Sequence, residues 1–179
     1  MKSGPICIAL FCLSFGVLSA QTQNPPTMPM GQMGEGHKPT IPAGPLKITF
    51  ADKSSEWTVA MLAALAHTTV TVHNAHTNAD ETYSGVPLID LLTRLGVSDK
   101  PHGKDLRLYV VAAGSDGYEA VYSIGEITPD LNSATVIVAD AENGKGLADD
   151  GPLKLVATGE KRPARWVRNL VAIRVMAAE

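Results

Sequence analysis

Both cysteines of the 179-residue chain, Cys7 and Cys12, fall within its first twenty residues, and that placement constrains the fold more than any other feature. Lys2 gives this segment a positive start, residues 6–18 an apolar run, and Ser19-Ala20 a small-residue end. That is the pattern of a cleaved secretory signal. The apolar run is shorter than the ~20 residues a spanning helix needs, and polar sequence begins at Gln21. Residues 1–20 are therefore read as a signal peptide. The mature protein is expected to be extracytoplasmic, periplasmic or secreted, with no membrane span. Removing the signal removes both cysteines. Disulfides are available in oxidising compartments, yet the remaining chain can form none. Its stability must come from an apolar core, and it holds no thiolate for catalysis or metal ligation.

Losing Lys2 leaves 14 of the 15 basic residues against 18 acidic ones, so the formal charge moves from −3 to −4. An acidic chain is poorly suited to neutralising phosphates, and no nucleic-acid partner is expected. A content of 45% hydrophobic and 18% charged residues is that of a globular domain rather than a disordered chain. Residues 21–45 read as a flexible linker, because Pro25, Pro26, Pro29, Pro39, Pro42 and Pro45 alternate with Gly, Gln and Thr without an apolar period. Met28, Met30, Met33 and His37 lie in this tether. The methionines are read as incidental, with Cu(I) capture by soft ligands as the alternative.

Residues 46–179 form the expected single domain. Residues 46–50 and 68–73 alternate apolar and polar side chains as strands do, and residues 56–65 suit a helix or turn on the core. Residues 74–81 read as a polar loop. A helix follows, with Ser84 as its cap, Pro87 in its first turn, an apolar stripe of Leu88, Leu91, Leu92 and Leu95, and Gly96 as its stop. Residues 106–112 and 119–124 flank Asp116-Gly117, a tight-turn signal. Residues 126–131 read as a short turn or helix. Residues 135–139 and 153–157 read as buried strands. Residues 166–176 alternate, which puts Arg168 and Arg174 on one face. Many short strands with few helices indicate an α+β fold with mixed β-sheets.

Four stretches, in order, resemble the oxidoreductase molybdopterin-binding domain family, whose fold is of the sulfite-oxidase type. They are Tyr83-Ser84-Gly85-Val86-Pro87-Leu88, Ser115-Asp116-Gly117-Tyr118, the run from Val136 through Asn143-Gly144 to Gly151-Pro152-Leu153, and Pro163-Ala164-Arg165-Trp166-Val167. The resemblance implies a sulfite-oxidase-type α+β domain, molybdopterin as a possible cofactor, and oxidoreductase chemistry. It places the family's metal-binding cysteine at or near His73, where this chain has an imidazole. Imidazole is not equivalent to a soft anionic thiolate, so standard molybdenum oxo-transfer is not expected to carry over.

His73 is accordingly the candidate catalytic position, and His73 with His76 the candidate metal ligands; a solvated polar loop is the plainer reading of the pair. Asp116, Gly117 and Tyr118 either build the hairpin or line a ligand cleft. Arg162 and Arg165 are candidates for binding the phosphate of a pterin cofactor. Trp166 is a candidate stacking surface, or a buried core residue. The expected partner is a small anionic ligand or an extracytoplasmic redox protein. The competing class is a non-catalytic binding or interaction protein that retains only the scaffold.

Overall fold

The computed structural model of the chain describes residues 44–74 and 77–179. The signal segment, nearly all of the linker and His76 lie outside the described residues. Strand β1 (Leu46–Phe50) turns at Ala51, which has a φ of 52°, into β2 (Lys53–Trp57). A short helix α1 (Val59–Ala63) follows, capped by Thr58, whose hydroxyl accepts from the Met61 amide at 3.2 Å. The apolar 56–65 stretch is thus split between a strand end and one helical turn. Next come β3 (Thr68–Asn74), β4 (Ala79–Pro87) and α2 (Leu88–Thr93). The order continues with β5 (Leu108–Gly114), β6 (Glu119–Ser123), α3 (Ile124–Ile127) and β7 (Val136–Glu142). It ends with β8 (Lys145–Gly146), β9 (Lys154–Ala157) and β10 (Leu170–Ala177).

The strands form two sheets. The first has the order β2-β1-β10-β5-β6 and is mixed, because β1 and β10 are parallel and its other pairs antiparallel. The second has the order β3-β4-β7-β8, with β9 also on β7, and is antiparallel throughout. Among the described residues three short α-helices connect them. This is the α+β class with mixed sheets that the strand spacing indicates. One apolar cluster joins Leu46 and Ile48 of the first sheet, Val86 and Val138 of the second, and Leu88, Leu91 and Leu92 of α2. Burial of that many aliphatic side chains, at about 1.5–3 kcal/mol each, stabilises a domain with no disulfide.

Three local expectations differ from the structure. Ser84 does not cap α2: it pairs with Thr69 and Ala141 inside the sheet, and Pro87, which offers no side-chain cap, precedes the helix. Residues 79–81 are not loop, since His73 and Asp80 face each other across β3 and β4 and extend the hairpin. Residues 166–176 are not one strand. Val167 pairs with Leu155 of the second sheet. Asn169 takes a φ of 44°, and the register slips between Leu170 and Ala172 as the chain enters the first sheet. That break in period separates Arg168 from Arg174, whose Nη2 instead reaches Glu119 at 2.7 Å.

Candidate functional site

The crossing from one sheet to the other makes the site. A turn at Pro163–Arg165 delivers Trp166 and Arg168, and β9 delivers Lys154. The tip of the β5–β6 hairpin delivers Asp116 and Tyr118. Its turn is closed by the Gly114 amide on the Tyr118 carbonyl at 2.9 Å, and the Asp116 carboxylate accepts from the Tyr118 amide at 2.9 Å. Gly117 has a φ of 83°, which a side chain would strain. The Tyr118 hydroxyl donates to the Ala164 carbonyl, so the hairpin tip is fastened to the 163–165 turn.

Between them lies an open cleft of about 230 Å³ lined by Asp116, Tyr118, Pro163, Ala164, Trp166 and Arg168. A second hollow of about 70 Å³ shares Pro163, Trp166 and Arg168 and adds Asn74 and Lys154. Tyr118 is 44% exposed and is the aromatic face the cleft offers. Trp166 is 8% exposed; its Nε1 donates to the Ala157 carbonyl at 3.0 Å, and Tyr83 meets it edge-on at 5.5 Å.

The inner wall is charged. Lys154 is only 6% exposed, and a buried ammonium needs partners. Its Nζ donates to Asp150 at 2.6 Å and to the Tyr83 hydroxyl at 2.9 Å, and stands 5.1 Å from the centre of the Trp166 ring. Asp150 also holds Arg168, Nε to Oδ1, at 3.1 Å. One carboxylate therefore positions two cations at the hollow, and the Arg168 side chain is exposed. The Tyr83 hydroxyl donates to Glu81 at 2.8 Å, and Glu81 accepts from Asn74 at 2.7 Å. Burial, then the hydrogen bond to Glu81, push the Tyr83 phenol far above its ordinary range, so it stays a donor. Burial also raises the Glu142 carboxyl; Lys154 opposes that, and Glu81 and Asp150 add to it.

Asp116, Tyr118 and Trp166 are thus brought together, with Gly117 shaping the turn beside them. Arg165 is directed elsewhere. Its guanidinium bonds Glu160 (Nε to Oε1, 2.8 Å), Glu126 at 2.9 Å and the Val121 carbonyl at 3.1 Å, and lies over the Tyr122 ring. The hydrogen bond to Glu160 and the pairing with Glu126 hold it charged, while burial opposes this. Arg162 is exposed and forms no ion pair among the described residues. His73 is also exposed, with Nδ1 2.8 Å from Asp80, and it lines neither the cleft nor the hollow to which its neighbour Asn74 contributes. No three His, Cys, Asp or Glu side chains gather into a metal site among the described residues. Neither Lys154 nor Arg168 is among the candidates read from sequence; the signals that could have found them are a lysine set in an otherwise apolar strand and a fourth basic residue after Lys161, Arg162 and Arg165. Neither signal says that they meet.

The chain shares its fold with part of the sulfane dehydrogenase SoxCD from Paracoccus pantotrophus. The structures superpose with a TM-score of 0.57 and 23% identity over 75% of this chain and 39% of that one. This shows the sulfite-oxidase-type α+β architecture expected from the four motifs. A stretch of 82 residues, 46% of this chain, is 32% identical to the DNA primase small subunit PriS of Thermoplasma volcanium. It covers 23% of that protein. The chain therefore spans well under half of either relative. No known family profile matches it.

Proposed function

We propose that this is an exported, oxidoreductase-like module that binds a planar anionic ligand of the pterin class in the Tyr118–Trp166–Arg168 cleft. The observation that carries it is the convergence of an exposed aromatic face with two cations that one carboxylate holds in place. Tyr118 and Pro163 offer a flat apolar floor. Arg168, backed by Lys154, supplies donors for an anionic group. The Asp116 carboxylate at the rim suits amino groups on a heterocycle.

The residues fit the ring better than the metal. At about 230 Å³ the cleft is smaller than the roughly 300 Å³ at which pockets for drug-sized ligands begin, so it takes a bicyclic ring with its substituents left open. No cysteine lies in residues 21–179, and His73 faces solvent beside Asp80. A molybdenum centre held as in the family has no donor here, and no oxo-transfer step is assigned to this chain.

The test is direct. The protein is purified from a host that makes molybdenum cofactor, and released pterin and molybdenum are quantified. The same protein is titrated with 6-carboxypterin, following the ligand's fluorescence. Pterin binding without stoichiometric molybdenum is expected. R168A should weaken it about tenfold, the worth of one charge-assisted hydrogen bond, and R162A should leave it unchanged. Failure of 6-carboxypterin to bind, with no pterin in the preparation, removes the proposal and leaves the scaffold as an interaction module.

A further inference from the structure

The two sheets treat their edges differently. In the first sheet the outer edge of β6 is blocked, because Arg165 Nη1 occupies the Val121 carbonyl at 3.1 Å. The outer strand β2 carries exposed Lys53 and Glu56. In the second sheet β8 is two residues long, and β9 is covered by Val167 through two backbone bonds of 2.8 and 3.2 Å. These are the ordinary ways of preventing one sheet from pairing with another. Strand β3 has none of them. It is the end strand of its sheet, seven residues long, and reads Thr68-Thr69-Val70-Thr71-Val72-His73-Asn74 with no Lys, Glu, Asp, Gly or Pro. Nothing pairs with its outer edge among the described residues.

We propose that β3 is the dimer interface of this protein, pairing antiparallel with β3 of a second copy about a twofold axis at Thr71. Two-fold self-pairing is the commonest way for a chain to associate with itself. A register centred on Thr71 sets Thr71 opposite the partner's Thr71, Val70 opposite the partner's Val72, and Thr69 opposite the partner's His73. Directly opposed residues in a sheet point to the same face. Val70 and Val72 face the core side of β3, while Thr69, Thr71 and His73 are exposed on the other side. This register therefore continues both apolar faces in one plane, and a slip of one residue would set each valine opposite a threonine or His73. It also places no like charges opposite each other. The one ionisable side chain on the strand, His73, already has Asp80 at 2.8 Å as its own partner and meets a threonine across the axis.

The twofold axis gives a test that a structural role for Thr71 would not mimic, since position 71 must face itself. The wild-type chain, expressed from the full-length sequence, should show a concentration-dependent dimer by sedimentation and light scattering. T71K and T71E, each at an exposed site, should raise the dimer dissociation constant at least tenfold while keeping the wild-type circular dichroism. An equimolar mixture of T71K and T71E should restore a 1:1 heterodimer, because the opposite charges now meet. A wild-type protein that stays monomeric to millimolar concentration overturns the proposal. So does a dimer that both variants leave intact, or a mixture of T71K and T71E that remains monomeric.

Discussion

His67 is held from both ring nitrogens, and that decides its protonation state. Nε2 lies 3.0 Å from the Asp140 carboxylate and Nδ1 2.9 Å from the Leu65 carbonyl. Both oxygens accept only, so the two contacts are satisfied together only by the doubly protonated ring. The hydrogen bond to Asp140 raises its pKa above the ordinary 6.5, the Leu65 bond adds to this, and burial opposes it. A raised folded pKa contributes stability that is complete below pH 6.5 and is lost as the pH climbs through the raised value. H67Q should therefore cost about 1 kcal/mol at pH 6 and progressively less toward pH 8.5. Urea midpoints for both proteins across that window measure it; two parallel pH profiles would mean that His67 is neutral in the folded state. The residue drew no notice in sequence because Asp140 is 73 positions away, and a lone histidine before a strand carries no local signal.

The same pair depends on how the strands between it are built. Ser84 pairs with Ala141 and Gly85 with Ala139, so Asp140 is an extra residue bulged out of β7. Bulges re-aim side chains, and this one lets Asp140 meet His67 from across β4. Gly85 allows the close approach: a Cβ there would lie 2.2 Å from the Val138 carbonyl oxygen and 2.5 Å from the Ala139 Cα. Both obstacles are backbone and cannot yield cheaply. G85A should destabilise the protein by about 3 kcal/mol, whereas G146A, with nothing within 4 Å, should change it by less than about 0.5 kcal/mol. Equal melting temperatures for the two would discard the bulge account. Arg165 poses a related problem of direction. Its basic run with Trp166 suggested one ligand surface, but the Pro163–Arg165 turn is a short 3-10 segment that ends at Trp166. It sends Arg165 to Glu126 and Glu160 and Trp166 into the core. R165M should cost about 1–2 kcal/mol at pH 7, a modest figure because the pair is partly exposed. Burial alone would raise the Glu126 carboxyl, but hydrogen bonds from Ser123 and the Arg165 pair hold it low. Its stabilising share is present above the ordinary carboxylate range and disappears as the pH falls through the lowered value. The gap between R165M and wild type should accordingly narrow at pH 3–4 in denaturant titrations; a gap that widens in acid would mean that the ion pair is not its source.

Across the whole domain, what sequence made legible is what repeats locally: strand alternation, the Asp116-Gly117 turn and the leucine stripe of α2. Illegible was whatever depends on the chain changing sheets. The residues from Trp166 to Leu170 look like the start of β10, yet they spend that length bonded to β9 and to residues near Gly151. The Asn169 amide reaches the Asp150 carbonyl at 2.6 Å, and its carbonyl takes the Ser115 amide at 3.0 Å. That crossing sets Arg168 where it lines both the cleft with Asp116 and the hollow with Lys154, and no periodicity encodes it. It also ties the sheets mechanically, because the strand that leaves one enters the centre of the other. With a single apolar cluster spanning both sheets and no disulfide available, neither sheet has a core to keep if the other is lost. The chain carries two tryptophans to report this. Trp57 lies on the outer strand of the first sheet, and Trp166 is buried against β9 and Tyr83 of the second. In W57F the fluorescence comes from Trp166 alone, and in W166F from Trp57 alone. W166F should be the less stable, since it loses the Nε1 bond to Ala157 and a buried edge contact. Within each variant, however, the fluorescence and far-ultraviolet dichroism midpoints in urea should coincide, as a two-state domain requires. A Trp57 signal that is lost before the dichroism would show that the first sheet opens on its own, and that the crossing joins two independently stable layers.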